Sequence, residues 1–418
     1  KGTMSGITFT HWMFWAAFAV LFIALSAWPK LTSPNFRAPR VRKALLLTFS
    51  LGFYWWVAGR LVLILLVSIL INHILARGIA FSKGKQRWVV TSLAVGFNLL
   101  VLCTFKYAYF FAEWWPNPAL ESSLQSWRLD QWMLPLGISF YTFQAISYVV
   151  DVNRGTLERP ASLLSFASYI TFFPQLVAGP IVRAKQFIPQ LEASAWTSPR
   201  TEETRHVRLI TAGFLKKVLL GDLLGSWIVD PVFAEPQVWS SFEIWMALYG
   251  YSLQVYADFS GYTDMAKGMA GLLGINLPEN FQFPYRAHSP AEFWRRWHMT
   301  LSRWWKDYLY IPLGGNRNLS GFSVVCALGA IVLSIAKWGN FGGSLVIVGL
   351  TLLFSASMLL FPKVQIRAGT AINVMIVMLL GGLWHGAHIN FITWGALNGL
   401  VLAAWVLLGP SSGSVADP

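Results

Sequence analysis

Charge is scarce in this sequence. Only 12% of its 418 residues are Asp, Glu, Lys or Arg, about half the share that a water-soluble domain carries, which excludes that class. Cysteine is scarcer still. Cys103 and Cys326 both lie in apolar stretches, and they form neither a metal-ligand spacing nor a disulfide framework, so redox and metal chemistry find no support. Several enzyme signatures are missing as well. There is no Gly-x-Ser-x-Gly elbow, no Gly-x-x-x-x-Gly-Lys phosphate loop and no dinucleotide fingerprint. An acyl-enzyme on Ser or Cys is therefore unsupported. Direct attack by an acceptor hydroxyl, with a histidine as base, asks less of the chain than the other routes.

What is abundant is apolar. Hydrophobic residues make up 55% of the chain, with 22 Trp and 30 Phe, more aromatics than a soluble core needs. Trp and Tyr collect at the headgroup level because their rings are apolar and their N–H or O–H groups seek water. Runs long enough to cross a ~30 Å hydrocarbon core as helices recur along the chain. They fall near 9–28, 44–58, 61–76, 88–112, 132–150, 209–229, 243–260, 321–337, 343–361, 370–386 and 389–408. The reading is an all-α, multi-pass membrane protein with about 11 transmembrane helices. Two further apolar segments, around 163–182 and 265–316, are interrupted by Pro and Gly. Such re-entrant or interfacial segments must be buried in protein or line a cavity. The first apolar segment lacks a small-residue cleavage signature and reads as a membrane anchor.

The net charge of +14 has its simplest source in the positive-inside rule. Lys30, Arg37, Arg40, Arg42 and Lys43 form one basic loop, and Arg77, Lys83, Lys85 and Arg87 form another. Stretches 183–208 and 286–317 are basic too, whereas 113–130 and 230–243 are acidic. Alternation through the spans places the N-terminus outside and the basic loops in the cytosol. These cations sit in short loops and form no separate domain, so a nucleic-acid partner is not expected, while membrane lipid is. A single polytopic domain over 1–408 and a disordered small-residue tail over 409–418 complete the expected organisation.

Three constellations could carry chemistry. The richest is Phe293 to Tyr310. At helical spacing Trp294, Trp297, Leu301, Trp304 and Tyr308 share one face, and Arg296, Arg303 and Lys306 share another. Two readings fit. In one this is an amphipathic membrane-surface helix with His298 incidental. In the other the cations grip the phosphates of a nucleotide-bearing donor and His298 faces the reacting centre.

The second constellation is Leu380-Gly381-Gly382-Leu383-Trp384-His385-Gly386-Ala387-His388. An ionisable residue within a span is a functional-site candidate by default, and the glycines let a backbone or substrate come close. A histidine satisfied by hydrogen bonding between helices is the competing reading. The third is Tyr256 to Asp264, where Asp258 and Asp264 end a span and are expected to pair with arginines of the 286–306 segment.

In order along the chain, Pro135 to Gln144, Phe173 to Ile181, Asp258 to Tyr262, Phe293 to His298, Asp307 to Arg317 and Leu379 to Ala387 resemble the bacterial branch of the membrane-bound O-acyltransferase (MBOAT) family. The similarity is to the membrane subunits of alginate, peptidoglycan and cellulose O-acetylation. It runs from about residue 130 to 400, and residues 1–125 match only as apolar spans. One departure stands out. In the family a single short apolar span separates the Gly-Gly-Asn-Arg and histidine motifs, whereas here two added apolar segments, an extra hairpin over 321–361, intervene.

The resemblance implies helices arranged around a tunnel through the bacterial inner membrane. It places the family's invariant histidine on His385 and its second polar position on His298, both catalytic. Arg295, Arg296, Arg303 and Lys306 would bind the donor. Asp258, Trp294, Trp297, Asp307, Asn316, Arg317 and Trp384 would line or brace the tunnel. The implied activity is that of an O-acetyltransferase drawing on a cytosolic thioester, acetyl-CoA, with no tightly bound cofactor. The final step would fall to a periplasmic esterase-like (SGNH-type) acetyltransferase or a small membrane partner. D-alanyl transfer to teichoic acid is the same-class alternative. A transporter or non-catalytic scaffold of a polysaccharide export machine is the other, and it leaves the Trp-His-Gly and Arg-Trp-His motifs without a reason.

Overall fold

The computed structural model describes residues 9, 11–31, 38–114, 135–177, 179–193, 200–316 and 362–409. The extra hairpin expected over 321–361, Arg317 and the tail beyond 409 lie outside the described residues. Every regular element among the described residues is helical. Among the described residues, four helical runs are long and apolar enough to cross a membrane: Arg40–Phe81, Gly84–Phe110, Ile366–His385 and Ile389–Leu408. The chain divides into two compact units, Lys1–Asn280 and Phe281–Pro418.

In the first unit, α1 (Trp12–Leu31) precedes α2 (Ala38–Ala58) and α3 (Val62–Phe81), which a 3-10 turn at Gly59–Leu61 joins into one run. Helices α4 (Gly84–Leu102) and α5 (Ala108–Trp114) follow, linked by a π-helical turn at Cys103–Tyr107. Asn72 of α3 and Asn98 of α4 exchange side-chain amide bonds, at 3.1 and 2.6 Å, deep in the unit. In an apolar setting each amide needs the other, so this pair fixes the register of two helices whose apolar faces alone would slide.

Helix α6 (Ile138–Arg154) stops at Gly155, whose φ of +74° lies in the left-handed region that a Cβ disfavours. Two short helices, α7 (Leu163–Thr171) and α8 (Phe173–Leu176), break where Pro174 forbids a continuous helix. The chain continues through α9 (Ala184–Glu192) and α10 (Arg200–Leu215). Two π-helical stretches, Lys216–Asp222 and Gly225–Val229, carry α10 into α11 (Asp230–Ala234).

The 32-residue α12 (Ser241–Leu272) closes the unit. Its start is set by a capping box. Ser240 accepts from the Glu243 backbone while the Glu243 carboxylate accepts from the Ser240 N–H, satisfying two otherwise orphaned donors. The arginine pairing expected for its two aspartates is corrected here. Asp258 bonds Lys217 and Asp264 bonds Lys216, each at 2.6 Å, from the π-helical stretch after α10.

The second unit holds α13 (Pro290–Arg296), α14 (Met299–Trp305), α15 (Pro362–His385) and α16 (Ile389–Leu408). The last two form an antiparallel pair joined by the short turn after His385. Their backbones meet at Gly382 and Gly395. A Cβ on Gly382 would strike the Phe391 carbonyl, and one on Gly395 would strike that of Met378. Only glycine permits this approach. His388 caps α16, its Nδ1 accepting from the Asn390 N–H at 3.2 Å.

Candidate active site

The single amphipathic helix expected over 293–310 is two short ones. Helix α13 begins at Ser289, whose hydroxyl accepts from the Glu292 N–H at 3.1 Å, with Pro290 at the first position. Glu292 also accepts the His288 N–H at 2.8 Å and two bonds from Arg296, at 2.9 and 2.7 Å. Arg296 further donates to the Gln282 carbonyl, and its own carbonyl accepts from the Gln282 N–H. The helix then stops at His298, which takes φ +43° and ψ +51°. A left-handed conformation at a non-glycine residue costs roughly 1–3 kcal/mol and persists only where surroundings impose it. This break rotates α14 away from the register of α13. The aromatic stripe read from the sequence therefore does not exist: Trp304 and Trp305 are buried, while Trp294 and Trp297 are half-buried on a different element.

After α14 the chain widens into a π-helical turn at Lys306–Tyr310 and closes over Gly314 and Gly315, both at positive φ. This Asp-Tyr-Leu-Tyr-Ile-Pro-Leu-Gly-Gly-Asn stretch is fastened to α15. Asn373, fully buried, donates to the Gly315 carbonyl at 3.0 Å, and the Tyr310 hydroxyl bonds the Asn316 side chain. Asn316 thus belongs to the brace that seats α14 on α15, and Asp307 is half-buried in the turn between them.

These elements enclose a cavity of about 570 Å³. Arg295, Arg296, Arg303 and Lys306 give it a basic side, Trp294 and Trp394 an aromatic one, and Val374, Val377, Met378 and Leu402 an apolar floor. His385 lines it too, with its side chain exposed. Two indoles hold its ring edge-on, Trp384 at 4.9 Å and Trp394 at 5.1 Å between centroids.

His298 lies one layer behind. It is 1% exposed, stacks with Phe281 at 6.3 Å and meets Trp384 edge-on at 6.2 Å. Helices α13 and α14 have seven residues each, too short to span a bilayer. Burial above all, and then the nearby His385 charge, holds the His298 imidazole well below its ordinary value, so it is neutral at neutral pH.

Of the residues singled out from sequence, His385, Trp294 and the four cations share this cavity, and Trp384 and His298 back it. Trp297 stands behind α13, stacked on Phe293 at 5.6 Å. Asp258 belongs to the first unit. Sequence reasoning passed over Trp305, Met378, Gln282 and Trp394 as lining residues.

Residues 156–355 match the MBOAT, membrane-bound O-acyltransferase family. The chain is 36% identical over 378 residues to a probable alginate O-acetylase of Pseudomonas putida, covering 88% of this chain and 66% of that protein. It is 32% identical over 396 residues to the peptidoglycan O-acetyltransferase of Helicobacter pylori, covering 87% and 64%. A teichoic acid D-alanyltransferase of Bacillus subtilis matches at 32% identity over 180 residues, 42% of this chain and 45% of that one. The chain spans just under two thirds of the length of the alginate and peptidoglycan relatives.

Proposed function

The chain belongs to the membrane-bound O-acyltransferase family, and from that premise we propose that it moves an acetyl group from acetyl-CoA toward hydroxyls of a cell-envelope or secreted polysaccharide. The observation that carries this reading is the pairing, in one cavity, of an accessible imidazole with a basic wall and an apolar floor.

The chemistry follows from those groups. Neutral His385 accepts the proton of an acceptor hydroxyl, the oxygen attacks the thioester carbonyl, and the C–S bond breaks. The departing thiolate takes the proton back from the imidazolium. A positioned base of this kind contributes ~10²–10⁴ in rate. Arg295, Arg303 and Lys306 face the donor phosphates, for which charge-assisted hydrogen bonds are the strong ones. Arg296 is already held by Glu292 and serves the wall more than the ligand. His298, being neutral, can donate a ring N–H to the donor carbonyl, which requires the Trp384 indole to move off it. The donor enters from the cytosolic side of the inner membrane, and a periplasmic esterase-like partner completes transfer to the polymer. D-alanyl transfer rests on the shorter teichoic acid match and would use a carrier protein in place of CoA.

The test uses purified chain, radiolabelled acetyl-CoA and the periplasmic fraction with its polysaccharide. Label should reach the polymer only when all are present and His385 is intact. Acetyl-CoA that keeps its label under every combination would sink the reading.

A further inference from the structure

We propose that Trp305 is the specificity-determining residue that limits the acyl group to two or three carbons, an inference that rests on the acyltransferase reading of this cavity. The benzo edge of the Trp305 indole (Cη2, Cζ3 and Cζ2) lies against the bare backbone of Gly381, where an added Cβ would collide with the ring. Gly381 and His385 are four residues apart on α15, so they share a face, about 6 Å apart along the axis. Both line the cavity, as does Trp305, whose side chain is 8% exposed. The absence of a side chain at Gly381 is what lets an indole stand one turn from the base.

Geometry then restricts the substrate. The attacked carbonyl must lie ~3–3.5 Å from a hydroxyl that itself hydrogen-bonds His385. An acyl tail leaving that carbonyl along the α15 face runs toward Gly381 and meets the indole. Gly381 backs the ring, and the buried Met378 and Val374, three and seven residues before Gly381, continue the same face of α15 as the cavity floor. The one- or two-carbon tail of an acetyl or propionyl group stops in front of the ring, and a longer chain runs into it.

The experiment is competition of acetyl-, propionyl-, butyryl- and hexanoyl-CoA against radiolabelled acetyl-CoA on the full chain in detergent, for the native protein, Trp305→Phe and Trp305→Ala. Ratios between proteins cancel partition of the longer thioesters into micelles. In the native protein affinity should fall from propionyl to hexanoyl. In Trp305→Ala each methylene buried in the vacated space should raise relative affinity about fourfold, so the hexanoyl-to-acetyl ratio rises by at least about tenfold. Trp305→Phe keeps an aromatic ring on Gly381 and should give an intermediate ratio; it decides the matter if the alanine variant fails to accumulate. An unchanged chain-length ranking in the variants, with acetyl transfer intact, overturns the inference and leaves the transferase reading standing. Native protein that takes hexanoyl as readily as acetyl overturns it equally. Binding of thioesters without transfer of any acyl group overturns the transferase reading, and with it a role for Trp305 in choosing what is transferred.

Discussion

The imidazole of His385 stands edge-on to the indole of Trp394, ring centroids 5.1 Å apart and planes at 81°. The two residues come from adjacent helices whose backbones touch at Gly382 and Gly395, so the helix pair itself sets the orientation of the imidazole. His385→Ala should abolish envelope O-acetylation, by at least about a hundredfold, while the protein still inserts, because an exposed side chain at a helix end contributes little to folding. Retention of a tenth of native activity at native protein levels would make the base assignment untenable.

Trp394→Ala should act on the same step more mildly. Loss of the ring leaves His385 present but less well aimed, and misplacement by about 1 Å can cost up to a hundredfold. We expect a fall in kcat of about tenfold with little change in KM for acetyl-CoA, largely restored in Trp394→Phe. A rise in KM alone would place Trp394 in donor binding.

Arg296 is tied to Glu292 within α13, whereas Arg303 and Lys306 line the cavity from α14 and the turn after it. Arg303→Ala with Lys306→Ala should raise the KM for acetyl-CoA several-fold and flatten its dependence on salt, since screening acts on the charges removed. Arg296→Ala should instead resemble Glu292→Ala, with lower thermal stability and a nearly native salt dependence. A surface pair of this kind stabilises only weakly. Identical salt profiles for the two sets would dissolve the distinction.

The histidine, the cations and Trp294 that line the cavity were legible in the sequence because they crowd into two short stretches. Histidine, arginine and tryptophan at 293–306 and 380–388 stand out from apolar surroundings. The break between α13 and α14 was not. It falls at His298, with no glycine or proline to announce a left-handed residue, and the 3- and 4-residue spacing of the aromatics runs across it undisturbed. Trp394 and Met378 were missed for another reason. Along an apolar helix a side chain facing a cavity and one facing lipid look alike in sequence, and only packing separates them. The partners of Asp258 and Asp264 were hidden because Lys216 and Lys217 sit inside an apolar run and were counted with it.

Stability should depend on pH through His298. Above the ordinary histidine value of 6.5 neither the folded nor the unfolded chain holds a proton there, and the full stability is present. Below 6.5 the unfolded chain takes up a proton that the folded one refuses, so stability falls as pH falls toward the depressed folded value. The melting temperature in detergent should therefore drop between pH 7 and 5, and His298→Asn should reduce the drop. Asparagine is a suitable replacement because it tolerates the left-handed backbone at this position. Equal drops in both proteins would remove His298 as the source.

Lys217 supplies the last test. Its ammonium bonds Asp258 at 2.6 Å and also Asp222, one cation between two carboxylates. Removing the cation leaves two like charges facing each other, whereas removing one carboxylate leaves a matched pair. Lys217→Met should therefore harm accumulation in the membrane more than Asp258→Asn does. Adding Asp258→Asn to Lys217→Met should recover part of the loss, because the repulsion goes with the second charge even though no ion pair returns. Protein levels in the membrane fraction and melting temperatures of the purified variants give the answer. Should the double variant accumulate no better than Lys217→Met, the cluster is not held by charge balance. If Asp258→Asn alone abolishes acetylation at native protein levels, Asp258 acts beyond the brace assigned to it here.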